Sequence, residues 1–220
     1  MVGALWYNGP MKAAVEIAGL SMAYGDRVLF SGISATLRSG TCTVVAGPNG
    51  AGKSTILRIV CGLQRPTAGA VKFRLDDNRE EDPRNFRRRM LGYAGPDFSP
   101  YTELSGVENI LFAARIRGMK LGSPKDLLKR VGLKPSRMDE PVGTYSSGMK
   151  QRVRLAMSIL GDPPLLVWDE PTAMLDSAGR CVVETVLNDH LSRGGTLLIA
   201  TNDAAEVDRW AHQKIEFARE

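Results

Sequence analysis

The chain lacks the cysteine patterns on which disulfide-stapled and zinc-bound domains are built. Its 220 residues contain three cysteines, Cys42, Cys61 and Cys181, and none of them belongs to a Cys-x-x-Cys pair. Structural zinc sites and disulfide frameworks need closely and regularly spaced cysteines. The sequence therefore predicts a protein of the reducing cytosol and argues against a cysteine-built framework.

Long hydrophobic runs are also missing. The longest apolar segments, at 165–168 and 197–200, are far shorter than the roughly 20 residues that cross a bilayer. The first residues show no basic start followed by an apolar stretch, so no signal peptide is predicted. We expect residues 1–10 to form a disordered extension, with Met11 as a second reasonable start, and residues 11–220 to form a single domain.

Charge of one sign is in small excess only. The formal net charge is +5, and 43% of the residues are hydrophobic, which is enough to bury a core. The one dense basic run, "RNFRRR" at 84–89, adjoins the acidic "DDNREED" at 76–82, which is expected to neutralise much of it. A basic surface can bind nucleic acid or an anionic membrane, but an ordinary solvated surface explains this excess. We expect no stable nucleic acid partner.

Hydrophobic periodicity predicts strands and helices in alternation. Residues 14–46 show the alternation and β-branched residues of strands, and residues 53–62 show helical spacing that ends at Gly62. The later elements are predicted as a charged loop at 76–89, helices across about 98–160, a buried strand at 165–169, a helix at 177–192, a buried strand at 196–200, and a C-terminal helix and strand. This order is typical of an α/β fold with a parallel sheet and an inserted helical subdomain, here at about 97–160.

The most informative stretch is "GPNGAGKST" at 47–55, whose first eight residues fit the phosphate-binding pattern Gly-x-x-x-x-Gly-Lys-Ser. Backbone N–H groups reach a polyphosphate closely only where no Cβ intervenes, hence the glycines. The helix that follows offers free N–H groups and a positive partial charge. Lys53 adds a point charge for the β- and γ-phosphates, and Ser54 adds a hydroxyl for Mg²⁺.

Two carboxylates end a buried strand in "LLVWDEPTAMLD" at 165–176. Asp169 is placed to hold Mg²⁺ through water, and Glu170 is placed to orient or deprotonate an attacking water. In the presence of the phosphate-binding loop, this pair indicates a nucleotide hydrolase.

A second anion-binding surface is predicted at "YSSGMKQRVRLA", residues 145–156. Ser146, Ser147 and Gly148 open a helix there, so hydroxyls and free N–H groups point outward at its positive end. On its own this is an ordinary helix cap. The loop at 47–54 has no need of a second anion site for itself, however.

These motifs, in this order, resemble those of the ATP-binding subunits of ABC transporters, from about Val15 to the C-terminus. "GPNGAGKST" looks like Walker A, "LLVWDEP" like Walker B, "YSSGM" like the signature written LSGGQ, and "AMLD" like the D-loop. The resemblance implies an α/β P-loop NTPase fold of the ABC type, with an N-terminal antiparallel β subdomain and the inserted helical subdomain. It implies ATP and Mg²⁺ as cofactors.

The resemblance also implies roles for individual residues. Catalytic roles fall to Glu170, Asn202 and Asp97, and metal contacts to Ser54, Asp169 and Asp97. Tyr24 lies where the family places an aromatic ring to stack on adenine. The other implied nucleotide contacts are Gly47, Pro48, Asn49, Gly50, Ala51, Gly52, Lys53, Ser54, Thr55, Ser146, Ser147, Gly148 and Asp176.

The family assembles with partners, and the resemblance implies them here. Two copies would form a homodimer around two ATP molecules, with Ser146 and Gly148 of one copy serving the γ-phosphate held by the other. Transmembrane permease subunits would be separate polypeptides, and the chain would lie peripherally on the cytoplasmic face of the inner membrane. Coupling to the permease is expected within about 97–120, where Phe98, Tyr101 and Phe112 could contact a partner helix.

Two positions depart from the family pattern. The Q-loop glutamine is absent from "LGYAGPDFSPYTEL" at 91–104, where Pro96 or Asp97 takes its place depending on the register. An aspartate could reach Mg²⁺ through water, and a proline could not. Asn202 stands where the family has its switch histidine, and an asparagine cannot carry the positive charge of a protonated histidine. We therefore predict normal ATP binding and slow hydrolysis.

Within the family, "RVLFSGISATLRSG" at 27–40 and the compact length resemble the haem-exporter ATPases of cytochrome c maturation. The stretch "GYAGPDFSPYTELSGVENI" at 92–110 aligns with that group without gaps, and this register places Asp97 at the glutamine. The predicted function is an ATP-hydrolysing subunit that powers export, with haem as one candidate cargo. The ATPase of another ABC-2-type exporter is the alternative. Two alternatives of other classes are a soluble non-transport ABC protein acting on ribosomes or DNA, and a nucleotide-binding subunit without turnover.

Overall fold

A computed structural model describes residues 12–75 and 79–217, so the extension predicted at 1–10 lies outside the described residues. The strands are β1 Ala13–Tyr24, β2 Arg27–Leu37, β3 Cys42–Ala46, β4 Ala68–Leu75, β5 Glu80–Glu81, β6 Leu91–Ala94, β7 Leu165–Asp169, β8 Thr196–Ala200 and β9 Gln213–Glu216. The helices are α1 Lys53–Cys61, α2 Pro83–Met90, α3 Gly106–Ile116, α4 Pro124–Arg130, α5 Ser147–Ser158, α6 Ser177–Ser192 and α7 Ala204–Trp210, with 3-10 turns at Pro135–Arg137 and Val142–Thr144. Within these described ranges, no helix is long and apolar enough to cross a bilayer.

The strands form one antiparallel and one parallel sheet. The antiparallel sheet has the order β2-β1-β4-β5, and the parallel sheet has the order β6-β7-β8-β3-β9. Every residue of β7 and β8 is buried, as expected for parallel strands that are covered on both faces. The predicted α/β fold with an N-terminal antiparallel β subdomain is confirmed.

Two layers of hydrophobic core lie on the two faces of the parallel sheet. Successive strand residues face opposite sides, so that Val44 and Trp168 join one layer while Val45 and Val167 join the other. The first layer also contains the buried faces of α3 to α7. The second contains α1, α2 and the buried face of the antiparallel sheet. Helix α1 is thus fixed by core packing directly behind the loop that precedes it.

The carboxyl ends of the central strands coincide. Val45 pairs with Ala200, and Ala200 pairs with Asp169, in a parallel register. Because parallel strands end at the same edge of a sheet, the residues that follow them meet there. At this edge β3 continues into the loop 47–52, β7 into Glu170, and β8 into the segment with Asn202.

Helices α3, α4 and α5 form the helical subdomain expected in mid-chain, although its boundaries at about 97 and 160 stay a prediction. The first helix begins at Gly106, within the predicted helical segment "SGVENILFAARIRG" at 105–118, and Pro100 lies before it in a segment that forms no helix. A capping box begins it: the Ser105 hydroxyl accepts the Glu108 N–H at 3.2 Å, and the Glu108 carboxylate accepts the Ser105 N–H at 2.8 Å.

The charged loop predicted at 76–89 is wrong over its second half, where α2 forms. Asp82 caps this helix by accepting the N–H of Asn85 at 2.9 Å, and Phe86 stacks on Phe73 with ring centroids 4.3 Å apart. Arg87 donates from Nε to the Val60 carbonyl at 2.8 Å, at the end of α1. Sequence periodicity missed α2 because a single buried side chain, Phe86, anchors it among four arginines.

His190 carries a pH-dependent part of the stability. It is 6% exposed on α6, its Nε2 lies 3.2 Å from the Thr196 carbonyl oxygen, and burial lowers its pKa to about 4. Between about pH 6.5 and pH 4, His190 is protonated in the unfolded chain and neutral in the folded chain. Stability should therefore be complete above about pH 7 and fall as the pH drops towards 4, by on the order of 3 kcal/mol. Urea unfolding at pH 7.5 and 4.5 would measure this. His190→Gln should remove this part of the pH dependence, and an equal dependence in that variant would contradict the assignment.

Candidate functional site

The loop before α1 adopts backbone conformations that favour glycine. Gly50 has a φ of 81° and Gly52 a φ of 103°, both in the left-handed region. A Cβ on Gly52 would lie 2.9 Å from Phe30 Cδ1 and 3.0 Å from Leu29 Cγ. A side chain is therefore excluded at Gly52 by conformation and by space, which keeps the first N–H groups of α1 uncovered.

Lys53 is held over this loop. Its side chain is largely buried, with the residue 7% exposed, and Nζ donates to the carbonyl oxygens of Gly47 at 2.8 Å and Pro48 at 3.0 Å. A buried ammonium group needs such partners. Because Lys53 is the first residue of α1, its charge adds to the positive end of the helix.

A cleft of about 480 Å³ opens at the carboxyl edge of the parallel sheet. It joins the loop and the start of α1 to the segments after β7 and β8. Its lining residues are Leu29, Asn49, Gly50, Gly52, Lys53, Ser54, Thr55, Glu170, Ala173 and Asn202. The structure thus brings together side chains that lie more than 100 positions apart in the sequence.

Asp169 lies at the base of this region, at the end of β7. It is 4% exposed and accepts a hydrogen bond from the Ser54 hydroxyl, while its Oδ2 has no hydrogen-bond partner among the described residues. Burial raises the pKa of this carboxyl, and the bond from Ser54 opposes the rise. A buried carboxylate oxygen without a partner, beside a hydroxyl, suits a hard divalent cation. The two residues therefore fit Mg²⁺.

Glu170 projects from the turn after β7 with a φ of 50°, and its N–H donates to the Ala200 carbonyl at 2.9 Å. The bond ties the turn to the neighbouring strand β8. Burial raises the pKa of the Glu170 carboxyl; Lys53 opposes this rise, and the negative charges of Asp169 and Glu206 add to it. A carboxylate with a raised pKa beside a phosphate-binding loop is suited to accept a proton.

Asn202 reaches the same cleft from the segment after β8. Its Nδ2 lies 3.5 Å from the Asn49 Oδ1 in the phosphate-binding loop. The position predicted to replace the switch histidine therefore lies on the cleft wall, next to the loop. Its catalytic role stays a prediction.

Asp97 is engaged by a basic side chain of α1. Its carboxylate accepts from Arg58 Nε at 2.6 Å and Nη2 at 3.1 Å, and the Tyr93 hydroxyl lies 3.4 Å away. No direct contact with Ser54 or Asp169 is seen within the described residues, although its negative charge raises the pKa of Asp169. The predicted metal and catalytic roles of Asp97 stay predictions, since a water-mediated reach would require this ion pair to open.

Tyr24 ends β1 as an exposed ring, 53% accessible, and its hydroxyl oxygen lies 2.6 Å from Gln64 Nε2, which donates to it. The ring does not belong to the lining of the cleft described above. Stacking of Tyr24 on a base stays a prediction.

The second predicted anion surface is separate from the cleft. Ser146, Ser147 and Gly148 share a depression of about 520 Å³ with Met174 and Asp176, and none of its lining residues belongs to the first cleft. The Ser146 hydroxyl accepts the Met149 N–H at 3.3 Å, and Asp176 lies 3.4 Å from Arg152. Within one chain, the two anion surfaces therefore share no lining residue.

Sequence reasoning did not single out two buried polar residues that contact the turn after β7, Gln151 and Glu206. Gln151 is 5% exposed and donates from Nε2 to the Pro171 carbonyl at 3.0 Å, joining α5 to the turn after Glu170. Glu206 is 6% exposed on α7. Gln151 lies on the helix that "SSG" begins, and its position on the buried face of that helix is a signal that helical periodicity could have given. The pattern of α7 offered no such signal for Glu206.

The chain is similar to known proteins of one family. Residues 30–173 match the protein family described as ABC transporter. The chain is 37% identical to the cytochrome c biogenesis ATP-binding export protein CcmA of Methylococcus capsulatus, over 86% of this chain and 91% of that protein. It is 35% identical to the Nod factor export ATP-binding protein I of Rhizobium sp. (strain N33) and 33% identical to the lantibiotic transport ATP-binding protein SrtF of Streptococcus pyogenes, over 90% of this chain in each case. It spans 66% of the length of the Nod factor protein and 83% of the lantibiotic protein.

Solved structures share the fold. The dimeric structure of MJ0796, described as a bacterial ABC transporter cassette, superposes with a TM-score of 0.80 at 24% identity, covering 92% of this chain and 94% of that one. A second structure of the same cassette is a dimeric post-hydrolysis state bound to ADP and Pi, with the same TM-score. At this identity the likeness supports the fold alone.

Proposed function

Since the chain belongs to the ABC transporter family, as an ATP hydrolase of the exporter type, we propose that it powers export through separate membrane subunits. The observation that carries this proposal is the cleft itself. Lys53, Ser54, Asp169, Glu170 and Asn202 come together there at the carboxyl edge of the parallel sheet.

We propose the following division of roles. The glycine-bearing loop and Lys53 bind the β- and γ-phosphates through N–H groups and charge. Ser54 and Asp169 hold Mg²⁺, which when bound neutralises charge on the phosphate oxygens. Glu170 accepts a proton from the attacking water, and Asn202 orients the γ-phosphate by hydrogen bonding.

We further propose that two copies act as a homodimer. The depression at Ser146, Ser147, Gly148 and Asp176 offers a helix N-terminus and two hydroxyls but no glycine-rich loop. Across a two-fold axis it can complete the cleft of the second copy, which supplies the loop and the carboxylates. Two solved structures of the same fold are described as dimeric, and the proposal carries that assembly over to this chain.

Docking to a membrane subunit is proposed at the start of the helical subdomain. Phe98 is 38%, Tyr101 53% and Phe112 36% exposed, and Tyr101 meets Phe112 edge-on with ring centroids 5.0 Å apart. Exposed aromatic side chains that lie together are common at protein interfaces. The chain would then lie peripherally on the cytoplasmic face of the inner membrane.

The partner and cargo class are tested by capture from native membranes. A tagged chain in mild detergent is compared with Tyr101→Ser and with Leu63→Ser, a control at an exposed hydrophobic residue that has no assigned role. We expect membrane subunits to copurify with the wild type and the control, and to be reduced at least tenfold with Tyr101→Ser. Cytochrome c maturation subunits would support haem export, which the identity to CcmA favours. Another permease would indicate another ABC-2-type exporter.

One observation favours a non-transport alternative. Arg84, Arg88 and Arg89 on α2 are exposed and form no ion pair among the described residues, whereas Asp76 and Asp77 of the acidic run lie outside them, so the local neutralisation stays a prediction. Such a basic helix face could contact nucleic acid. A salt-dependent affinity for RNA or DNA, together with purely soluble captured partners, would support this alternative and overturn the exporter proposal.

Slow hydrolysis is proposed from Asn202. A protonated histidine would add a positive charge at the γ-phosphate that the asparagine amide lacks. Asn202→His should therefore raise kcat about tenfold, with little change in the KM for ATP, and Asn202→Gln is the matched control. A rate for Asn202→His equal to or below that of the wild type would contradict the proposal, as would a wild-type rate typical of fast ATPases.

A further inference from the structure

Glu206 is a buried carboxylate with both of its oxygens in use. It is 6% exposed on α7. Its Oε1 accepts a hydrogen bond from the Thr172 hydroxyl, and its Oε2 accepts one from the Thr201 hydroxyl at 2.6 Å. Arg180 Nη1 lies 3.4 Å from Oε1 and supplies the opposite charge. A buried carboxylate is tolerated only with such partners.

These partners belong to the two segments that carry the proposed reaction. Thr172 follows Glu170 by two positions, and Thr201 directly precedes Asn202. The Thr201 hydroxyl also accepts the N–H of Asp203 at 3.1 Å, which closes the turn around Asn202. Glu206 therefore joins the turn after β7 to the turn after β8 through one side chain.

A third segment is tied to the same group. Arg180 lies on α6, the helix that Asp176 caps, and its Nη1 donates to Asp203 at 3.0 Å as well as approaching Glu206. The start of α6 is thus joined to the turn that holds Asn202 through the Arg180 side chain. Neither Glu206 nor Arg180 belongs to the lining of the cleft.

Reacting groups must be held to within a fraction of an ångström, and hydrogen-bonded residues behind them commonly do this. We propose that Glu206 is a positioning residue that sets the place of Glu170 relative to Asn202 by binding Thr172 and Thr201 together. This inference rests on the proposed ATP hydrolysis. It assigns Glu206 no contact with the nucleotide.

The two threonines allow a test that leaves the carboxylate in place. Thr172→Val and Thr201→Val remove one hydroxyl each at nearly constant volume, whereas Thr172→Ser and Thr201→Ser keep it. We expect each valine variant to lower kcat at least tenfold with the KM for ATP within about twofold, and each serine variant to stay within about threefold of the wild type. Glu206→Gln, which keeps only one good acceptor, should resemble the valine variants, and Glu184→Gln on α6 is the control carboxylate.

Hydrogen exchange separates this inference from the proposed function. In the valine variants, amides within 170–173 and 201–203 should exchange at least tenfold faster than in the serine variants, while the central strands should not change. Equal exchange and equal kcat in the valine and serine pairs would overturn the positioning role. A wild-type chain that binds ATP without hydrolysing it would overturn the proposed hydrolysis, and the exchange result would still decide whether Glu206 holds the two turns.

Discussion

Replacing Glu170 by glutamine is expected to lower kcat for ATP hydrolysis at least 100-fold while leaving ATP affinity within about threefold. A general base typically contributes between about 100-fold and 10,000-fold to a rate. Glutamine matches glutamate in size and can still accept a hydrogen bond, but it cannot accept a proton at neutral pH. Because the phosphate-binding loop and Lys53 are untouched, binding should persist. Single-turnover hydrolysis and equilibrium binding of a fluorescent ATP analogue would measure the two effects separately.

Glu184→Gln is the matched control for this change. Glu184 is a partly buried glutamate on α6 that pairs with Arg209 at 3.0 Å, away from the cleft. Its glutamine variant should hydrolyse ATP within about twofold of the wild-type rate. If Glu170→Gln loses no more activity than this control, Glu170 is not the base. If the wild-type rate is also near zero, the chain is better interpreted as a nucleotide-binding subunit without turnover.

The same substitution predicts a change in pH dependence. Burial raises the pKa of the Glu170 carboxyl, so the group becomes protonated at a higher pH than an ordinary glutamate does. A base works only when it is unprotonated, and kcat should therefore fall as the pH drops through this raised pKa. The residual activity of Glu170→Gln should lack that acid limb.

Replacing Lys53 by alanine is expected to weaken ATP binding roughly 100-fold, since hydrogen bonds to charged groups contribute about 1.5–3 kcal/mol each and 1.4 kcal/mol is tenfold. The ammonium group is held at the loop by the Gly47 and Pro48 carbonyls, so it is already positioned for a phosphate. Binding by isothermal calorimetry with MgATP would measure the loss. Urea unfolding in parallel would confirm that the variant is folded.

Lys125→Ala provides the comparison for a lysine outside the cleft. Lys125 is an exposed residue of α4 that pairs with Asp139 at 2.7 Å. Its loss should leave the Kd for ATP within about twofold, because a surface ion pair contributes little and Lys125 does not line the cleft. Unchanged ATP binding in a folded Lys53→Ala variant would show that the loop at 47–54 is not the nucleotide site.

Local sequence patterns predicted the elements around the cleft closely. The glycine spacing and Lys53 indicated a strand–loop–helix unit, and β7, α6 and β8 occupy 165–169, 177–192 and 196–200 as predicted. These elements can be predicted from the sequence because continuous apolar runs and glycine positions reflect local requirements of the backbone. Helix α2 was missed since its stability depends on Phe73 and the end of α1, which are contributed by other parts of the chain.

The Q-loop position shows the limit of motif reading. Alignment with the family can place Asp97 at the position of the missing glutamine. Only the packing of α1, however, shows that Arg58 lies 2.6 Å from the Asp97 carboxylate. The residue type alone suggested a metal ligand reaching through water. The ion pair adds a competing cation that this role would first have to displace.

The sequence by itself determined the family, the phosphate-binding loop, the two carboxylates after β7 and the likeness to exporter ATPases, because each depends on residues that are adjacent or regularly spaced. Only the tertiary structure decided that Glu170 and Asn202 line the same cleft and that Ser146 lines a separate depression. It also decided that Glu206 joins the turn after β7 to the turn after β8. Those relations depend on strand order and on buried hydrogen bonds between distant segments, which no local pattern encodes.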